Sequence, residues 1–238
     1  MNKVNKGNLI INGVGSSNGG TFQTVAVSGK STVNSDIECE VLESNGVASF
    51  KGNIVSQTVR INGTTTIAGS LDTEKISIEG VAKIKKDVTA AALQISGSGS
   101  FGGTVRCDSI KIEGRAAIAE NCEAETVYIR GPVKIGGELN ADHILLEPFG
   151  RCTIQEIGGQ SITVKKDASF SSWLKPFFPT TLSVNSIEGD EIDLEVTAAK
   201  VVRGRNVKIG KKCEVDLVEY TGTFQKDDGA TVKKSRKI

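Results

Sequence analysis

The chain has 238 residues, of which 38% are hydrophobic, with 29 basic and 28 acidic side chains. A core can be filled, but the near-neutral charge gives no reason to expect a polyanionic partner, and no run of about 18 apolar residues is present to form a membrane-spanning helix. The 27 glycines against four prolines exclude collagen and Pro/Gly linkers and place the glycines in turns between short strands.

Residues 1–7 are polar and basic, lead into no long apolar run, and read as a flexible N-terminus without a signal peptide. A cytoplasmic location is the expectation. One turn precedes Gly29: "NLIING" ends at Gly13 and "TFQTVAVSG" at Gly29, with "VGSSNGG" between them read as a flexible loop.

From there glycine recurs at positions 29, 46, 63, 80, 97, 114 and 131, each seventeen residues after the last. Four residues past each glycine stand Val33, Phe50, Ile67, Ile84, Phe101, Ile118 and Ile135. Eight past stand Ile37, Ile54, Leu71, Val88, Val105, Cys122 and Leu139; thirteen past, Leu42, Val59, Ile76, Leu93, Ile110, Val127 and Ile144. Ser44, Ile61, Ile78, Ile95, Ile112, Ile129 and Leu146 follow at fifteen past. Internal repetition of this kind decides the fold before any motif does. Within each unit apolar and polar residues alternate, as in "KISIEG", so the period is that of a strand. Three short β-branched runs per seventeen residues predict one turn of an all-β, three-sided parallel β-helix, a solenoid whose strands repeat every ~4.8 Å along the axis. Small residues ten past each glycine (Cys39, Ser56, Thr73, Ala90, Cys107, Ala124, Ala141) mark where the interior is tight.

After Leu146 the register slips at "EPFG" and resumes in "CTIQEI" and "SITV". Residues 165–181, "KKDASFSSWLKPFFPTT", break the pattern and form an aromatic insert holding Trp173, Leu174, Phe177 and Phe178. It either folds against the solenoid or presents an apolar loop to a membrane or partner. Turns return through "EIDLEV", "AKVVRG", "NVKIG" and "EVDLVEYTGTF". The β-helix domain is thus read as residues 8–225, with ten or eleven turns, and residues 226–238 as a disordered basic tail.

No catalytic, cofactor or metal site emerges. The lone His143 lacks the hexad repeat of β-helix acyltransferases and reads as a surface residue. One histidine cannot supply a three-histidine zinc centre. The acidic runs "NSDIECE" and "GDEIDLE" fit a solvated strand face, and "VGSSNGG" and "GSGSFGG" lack the Lys-Ser/Thr and helix of a phosphate loop. Basic residues are not interleaved with aromatics, which argues against nucleic acid. The five cysteines, Cys39, Cys107, Cys122, Cys152 and Cys213, lack CxxC spacing and read as small buried hydrophobes in a reducing compartment.

What remains is the end of the rod, where a β-helix exposes unpaired backbone above an apolar interior. No capping helix is visible in the sequence at either terminus, so end-to-end stacking into an open filament is expected, without nucleotide. The units "VRINGTTTIAGSLDTEKISIEG" and "SIKIEGRAAIAENCEAETVYIRG" resemble the bactofilins, bacterial polymer-forming cytoskeletal proteins. The closing "VVRGRNVKIGKKCEVDLVEYTGTF" is similar to the longer members from Bacillus-type bacteria. The resemblance implies a right-handed parallel β-helix and a nucleotide-independent filament subunit. Its role would be scaffolding in cell shape, motility or protein localisation. Partners would be further copies, a related bactofilin chain, or a protein or membrane at the inner face of the cell membrane. The family's C-terminal aromatic corresponds to Phe224, with Phe22 near the opposite end; Leu9, Ile11, Val218 and Tyr220 complete the expected end-to-end contact. Unlike many members, the chain has no apolar membrane-targeting segment in "MNKVNKGN", and its turns fill most of its length. The alternative is a scaffold that does not polymerise and binds through the Trp173 insert.

Overall fold

In the computed structural model, residues 6–166 and 181–238 are described. They form two compact units, residues 1–108 and 109–238, and every assigned element is a β-strand. The first unit contains β1 (Leu9–Ile11), β2 (Val14–Ser17), β3 (Gly20–Val27), β4 (Lys30–Val33), β5 (Ile37–Ser44) and β6 (Val47–Phe50). It continues through β7 (Ile54–Ile61), β8 (Thr64–Ile67), β9 (Leu71–Ile78), β10 (Val81–Ile84), β11 (Val88–Ile95) and β12 (Ser98–Phe101). The chain passes between units within β13 (Val105–Ile112). The second unit holds β14 (Arg115–Ile118), β15 (Cys122–Arg130), β16 (Val133–Glu147) and β17 (Arg151–Val164). After the insert come β18 (Thr181–Leu194), β19 (Thr197–Ile209), β20 (Glu214–Lys226) and β21 (Thr231–Lys237).

Each long strand pairs in parallel with the long strand one turn on, and each short strand with the next short strand. Ile37 registers with Ile54 and Ile54 with Leu71, seventeen residues apart, while Val47 registers with Thr64 and Thr64 with Val81. The fold is the predicted parallel β-solenoid, of about 13 turns rather than ten or eleven. The added turns come from both ends of the sequence, where the period had been lost. The "VGSS" stretch read as loop is strand β2, paired through Val14–Lys30 and Ser17–Val33. Residues 231–237, read as a disordered tail, form strand β21 on β20.

The inward columns are those the repeat predicted. Val33, Phe50, Ile67, Ile84, Phe101, Ile118 and Ile135 are all at most 2% exposed. Hydrophobic side chains stacked at strand spacing fill this column. Among the buried polar side chains, Ser44 accepts a 2.7 Å hydrogen bond from Thr65 Oγ1.

The glycine period has a steric cause. A Cβ on Gly46 would lie 2.0 Å from the carbonyl oxygen of Gly29, and one on Gly63 the same distance from that of Gly46. Any side chain would occupy the space of the preceding turn's backbone, so the corner admits glycine alone. At the next corner a side chain is needed instead. Asp36 Oδ1 accepts from Asn53 N at 2.7 Å, Asn53 Oδ1 from Ser70 N at 3.1 Å, and Asp87 Oδ1 from Thr104 N at 2.9 Å. Asn121 Oδ1 does the same for Glu138 N at 3.0 Å. Each carboxyl or amide holds the corner of the following turn through a bond between residues seventeen apart.

Candidate functional site

The two terminal rungs differ in chemistry. In the first unit the edge is formed by β1 and β2, and among the described residues no strand pairs with their outer side. Leu9 and Ile11 register with the buried Val25 and Val27, so they continue the apolar columns, but they are themselves only half-buried. Phe22, in register with Cys39, is likewise half-buried. Ile10 and Val14 are 59% and 88% exposed. This rung is apolar at Leu9 and Ile11 and incompletely covered, while the Val33 column ends there in Ser17.

The edge of the second unit is polar in part. Strand β21 lies on the first part of β20, with Val232 on Val215, Ser235 on Val218 and Arg236 on Glu219. The column that runs Ile187, Val202, Val218 thus ends in Ser235. The column Leu194, Ile209 ends in Lys226, whose ammonium donates to the Ala230 carbonyl at 3.3 Å. The columns that end in Ser235 and Lys226 are thus polar at this edge, while those that end in Val232 and Phe224 remain apolar.

This arrangement sorts the residues expected at the ends. Val218 is fully buried beneath β21 and drops out of the contact surface. Tyr220 and Phe224 are half-buried, and their rings pack with centroids 5.4 Å apart at 31°. Phe224 lies in register with Val207, and among the described residues no strand covers the 221–226 part of β20. Trp173, Leu174, Phe177 and Phe178 fall outside the described residues.

Missing from the expectations was Glu219, only 4% exposed. Its Oε2 accepts from Arg203 Nε at 2.5 Å and its Oε1 from Arg236 Nε at 2.7 Å and from Arg236 Nη2. The Arg203 hydrogen bond first, and Arg236 after it, hold the carboxyl below the usual carboxylate range. Lys233 pairs with Asp216 at 2.7 Å. Charge counted along the chain showed a basic tail; only the register shows that its cations meet the acids of "EVDLVE" one turn below. These pairs add to the main-chain pairing of β21 on β20.

The remaining features give little for chemistry to use. His143 is exposed and registers between Thr126 and Ser161, neither of which can relay a proton to it as a carboxylate would. All five cysteines are buried and free. Burial pushes the Cys107 thiol up to about 12 and that of Cys213 to about 11, so both stay protonated at neutral pH. Three open concavities of about 500, 590 and 520 Å³ lie on the outer strand faces. The last, in the first unit, is bordered by Glu38, Glu40, Asp72, Glu74 and Asp108, with Lys6 as its cation. Among the described residues no group of three or more His, Cys, Asp or Glu side chains could hold a metal ion. No helix among them is long and apolar enough to cross a membrane.

Over 231 residues, 97% of this chain and 98% of the relative, the sequence is 55% identical to the uncharacterized protein YhbE of Bacillus subtilis (strain 168). The chain belongs to the YhbE family. A second protein of the same organism, the uncharacterized protein YhbF, is 42% identical over 85 residues, which is 36% of this chain and 34% of YhbF. No family model matches the chain, and no solved structure matches it significantly.

Proposed function

We propose that the protein is a structural subunit that assembles end to end into filaments without nucleotide and serves as a cytoskeletal scaffold of the bactofilin kind. The observation that carries this reading is the apolar first rung, where Leu9, Ile11 and Phe22 continue buried columns yet remain half-exposed. A parallel strand edge of this sort is completed by pairing with another chain. The uncovered 221–226 part of β20, with the Tyr220–Phe224 ring pair, is the second contact a growing filament needs. The repeats' resemblance to bactofilins supports the same reading.

The test is negative-stain electron microscopy of the purified protein across a range of salt, with no nucleotide added. Filaments of constant width are expected, reduced to isolated particles by Ile11→Asp or Phe224→Asp. One observation favours a second reading. The polar end of the apolar columns at Ser235 and Lys226 suits a scaffold that stays discrete and engages a protein or membrane elsewhere, the Trp173 insert being the sequence's candidate. Isolated particles of the wild-type chain at every concentration would select it.

A further inference from the structure

The outer faces of β18 to β21 carry a charge order that stops one step short. At successive rungs in one register stand Glu188, Arg203, Glu219 and Arg236, alternating in sign, with Glu219 held between both arginines. Beside it Asp216 pairs with Lys233. Both sets end in a cation on β21. Lys234 and Lys237 add two more exposed cations on the same strand, and neither has an ion pair among the described residues. Among the described residues no strand pairs with the outer edge of β21.

We propose that β21 is a docking strand for an extended acidic segment of another protein, which adds in parallel as the next rung and continues the alternation with its carboxylates. Strand addition supplies main-chain hydrogen bonds at a free edge, and side-chain charge then selects the partner. A second copy of this chain is the poorer occupant on charge. Its own β21 repeats the same lysines, and its first rung, β1 and β2, carries no acidic side chain. Lysines on a free edge repel identical edges; here they also leave the edge matched to acid. The partner is therefore an acidic strand, and its binding occupies part of the end at which a further copy would stack.

The probe is a fluorescein-labelled peptide of about ten residues alternating Val and Glu, followed by fluorescence anisotropy. Two control peptides accompany it: one of the same charge interrupted by two prolines, and one with Lys in place of Glu. The chain variant is K234E/K237E, which leaves the Lys233–Asp216 and Arg236–Glu219 pairs in place; its fold is checked by a cooperative melting transition. The Val/Glu peptide is expected to bind, more weakly as salt rises, and to lose about tenfold in affinity on the variant. The proline-interrupted and Lys peptides are expected not to bind the wild-type chain. The proposal is overturned if the Val/Glu peptide fails to bind, or binds the variant equally. Equal binding of the proline-interrupted peptide would also overturn it, since charge without strand pairing would then suffice. Peptide capture does not depend on filaments, so its failure is distinct from isolated particles in the microscope.

Discussion

Residues 29–135 and residues 181–226 build the same solenoid by different means. In the first stretch every turn takes seventeen residues, with register gaps at the corners, as between Cys39–Ser56 and Val41–Thr58. In the second, fifteen residues separate Ile187 from Val202, and sixteen separate Val202 from Val218. The strands there run on through the corners, so β18 and β19 are 14 and 13 residues long. Yet the inward columns survive the change: Ile187, Val202 and Val218 are each fully buried. The interior column is the conserved physical requirement, and the corner only sets how many residues reach the next one.

The corners offer the sharpest contrast. At Gly63 a Cβ meets backbone, the Gly46 carbonyl oxygen, at 2.0 Å. At Gly158 it meets the carboxylate end of Glu138 at 2.9 Å, which can swing aside. Gly63→Ala is expected to cost about 4–5 kcal/mol, since two turns must separate, whereas Gly158→Ala should stay within about 1 kcal/mol. Denaturant melts of the two variants check this. A wild-type melt for Gly63→Ala would show that the corner yields, and the steric account of the seventeen-residue period would fall.

Next in size is the column itself. Ile78 is fully buried, while Val81, three residues on, is 48% exposed. Truncating Ile78 to Ala should cost about 3 kcal/mol through lost burial and the cavity left behind; Val81→Ala should change stability by about 0.5 kcal/mol at most. Similar losses at the two sites would mean that the outward face is covered in solution.

A smaller effect tests whether the two stretches share any corner device. Asn53 Oδ1 accepts from Ser70 N and Oγ, both at 3.1 Å. Far along the chain Asn206 Oδ1 accepts from Thr223 N at 3.1 Å and Oγ1 at 2.8 Å. Asn53→Ala and Asn206→Ala should each cost about 1 kcal/mol. A clear loss at one site alone would confine the device to that stretch.

These sites also show what the residues reveal before folding. The columns at Val33, Phe50 and Ile67 were legible because a solenoid repeats each environment, and one period therefore betrays the interior. Glycine's place was legible too, though not its reason, since the Gly46–Gly29 approach exists only between turns. The Asx ladder shares the period but alternates with Ser70 and Thr104, which hid it. Strand β21 was misread because "TVKKSRK" has neither apolar periodicity nor neutral charge of its own; its order comes from pairing on β20, where Asp216 and Glu219 stand. Val218 was placed at the end for the same reason, with the strand that buries it unseen.

That dependence on a neighbour's charge separates β21 from the apolar turns and makes it the pH-sensitive part. Glu219 has a carboxyl pKa lowered in the folded state from an ordinary value of 4.5, first by the Arg203 hydrogen bond and then by Arg236. A lowered folded value means that ionisation favours folding. The contribution is complete above the ordinary carboxylate range and is lost as pH falls through the folded value, below about 4.5. Protonated Glu219 would no longer draw Arg236, and β21 would loosen from β20 while β18 and β19, joined through apolar columns, stay closed. Hydrogen-exchange protection factors, which remove the intrinsic pH dependence, should therefore fall in residues 231–237 as pH drops below the ordinary value of 4.5, with residues 187–194 unchanged. In Glu219→Gln the protection of residues 231–237 should already be low at neutral pH and respond far less to acid. If protection of the two segments falls together in the wild-type chain, the last strand is part of one cooperative unit and Glu219 is not what holds it.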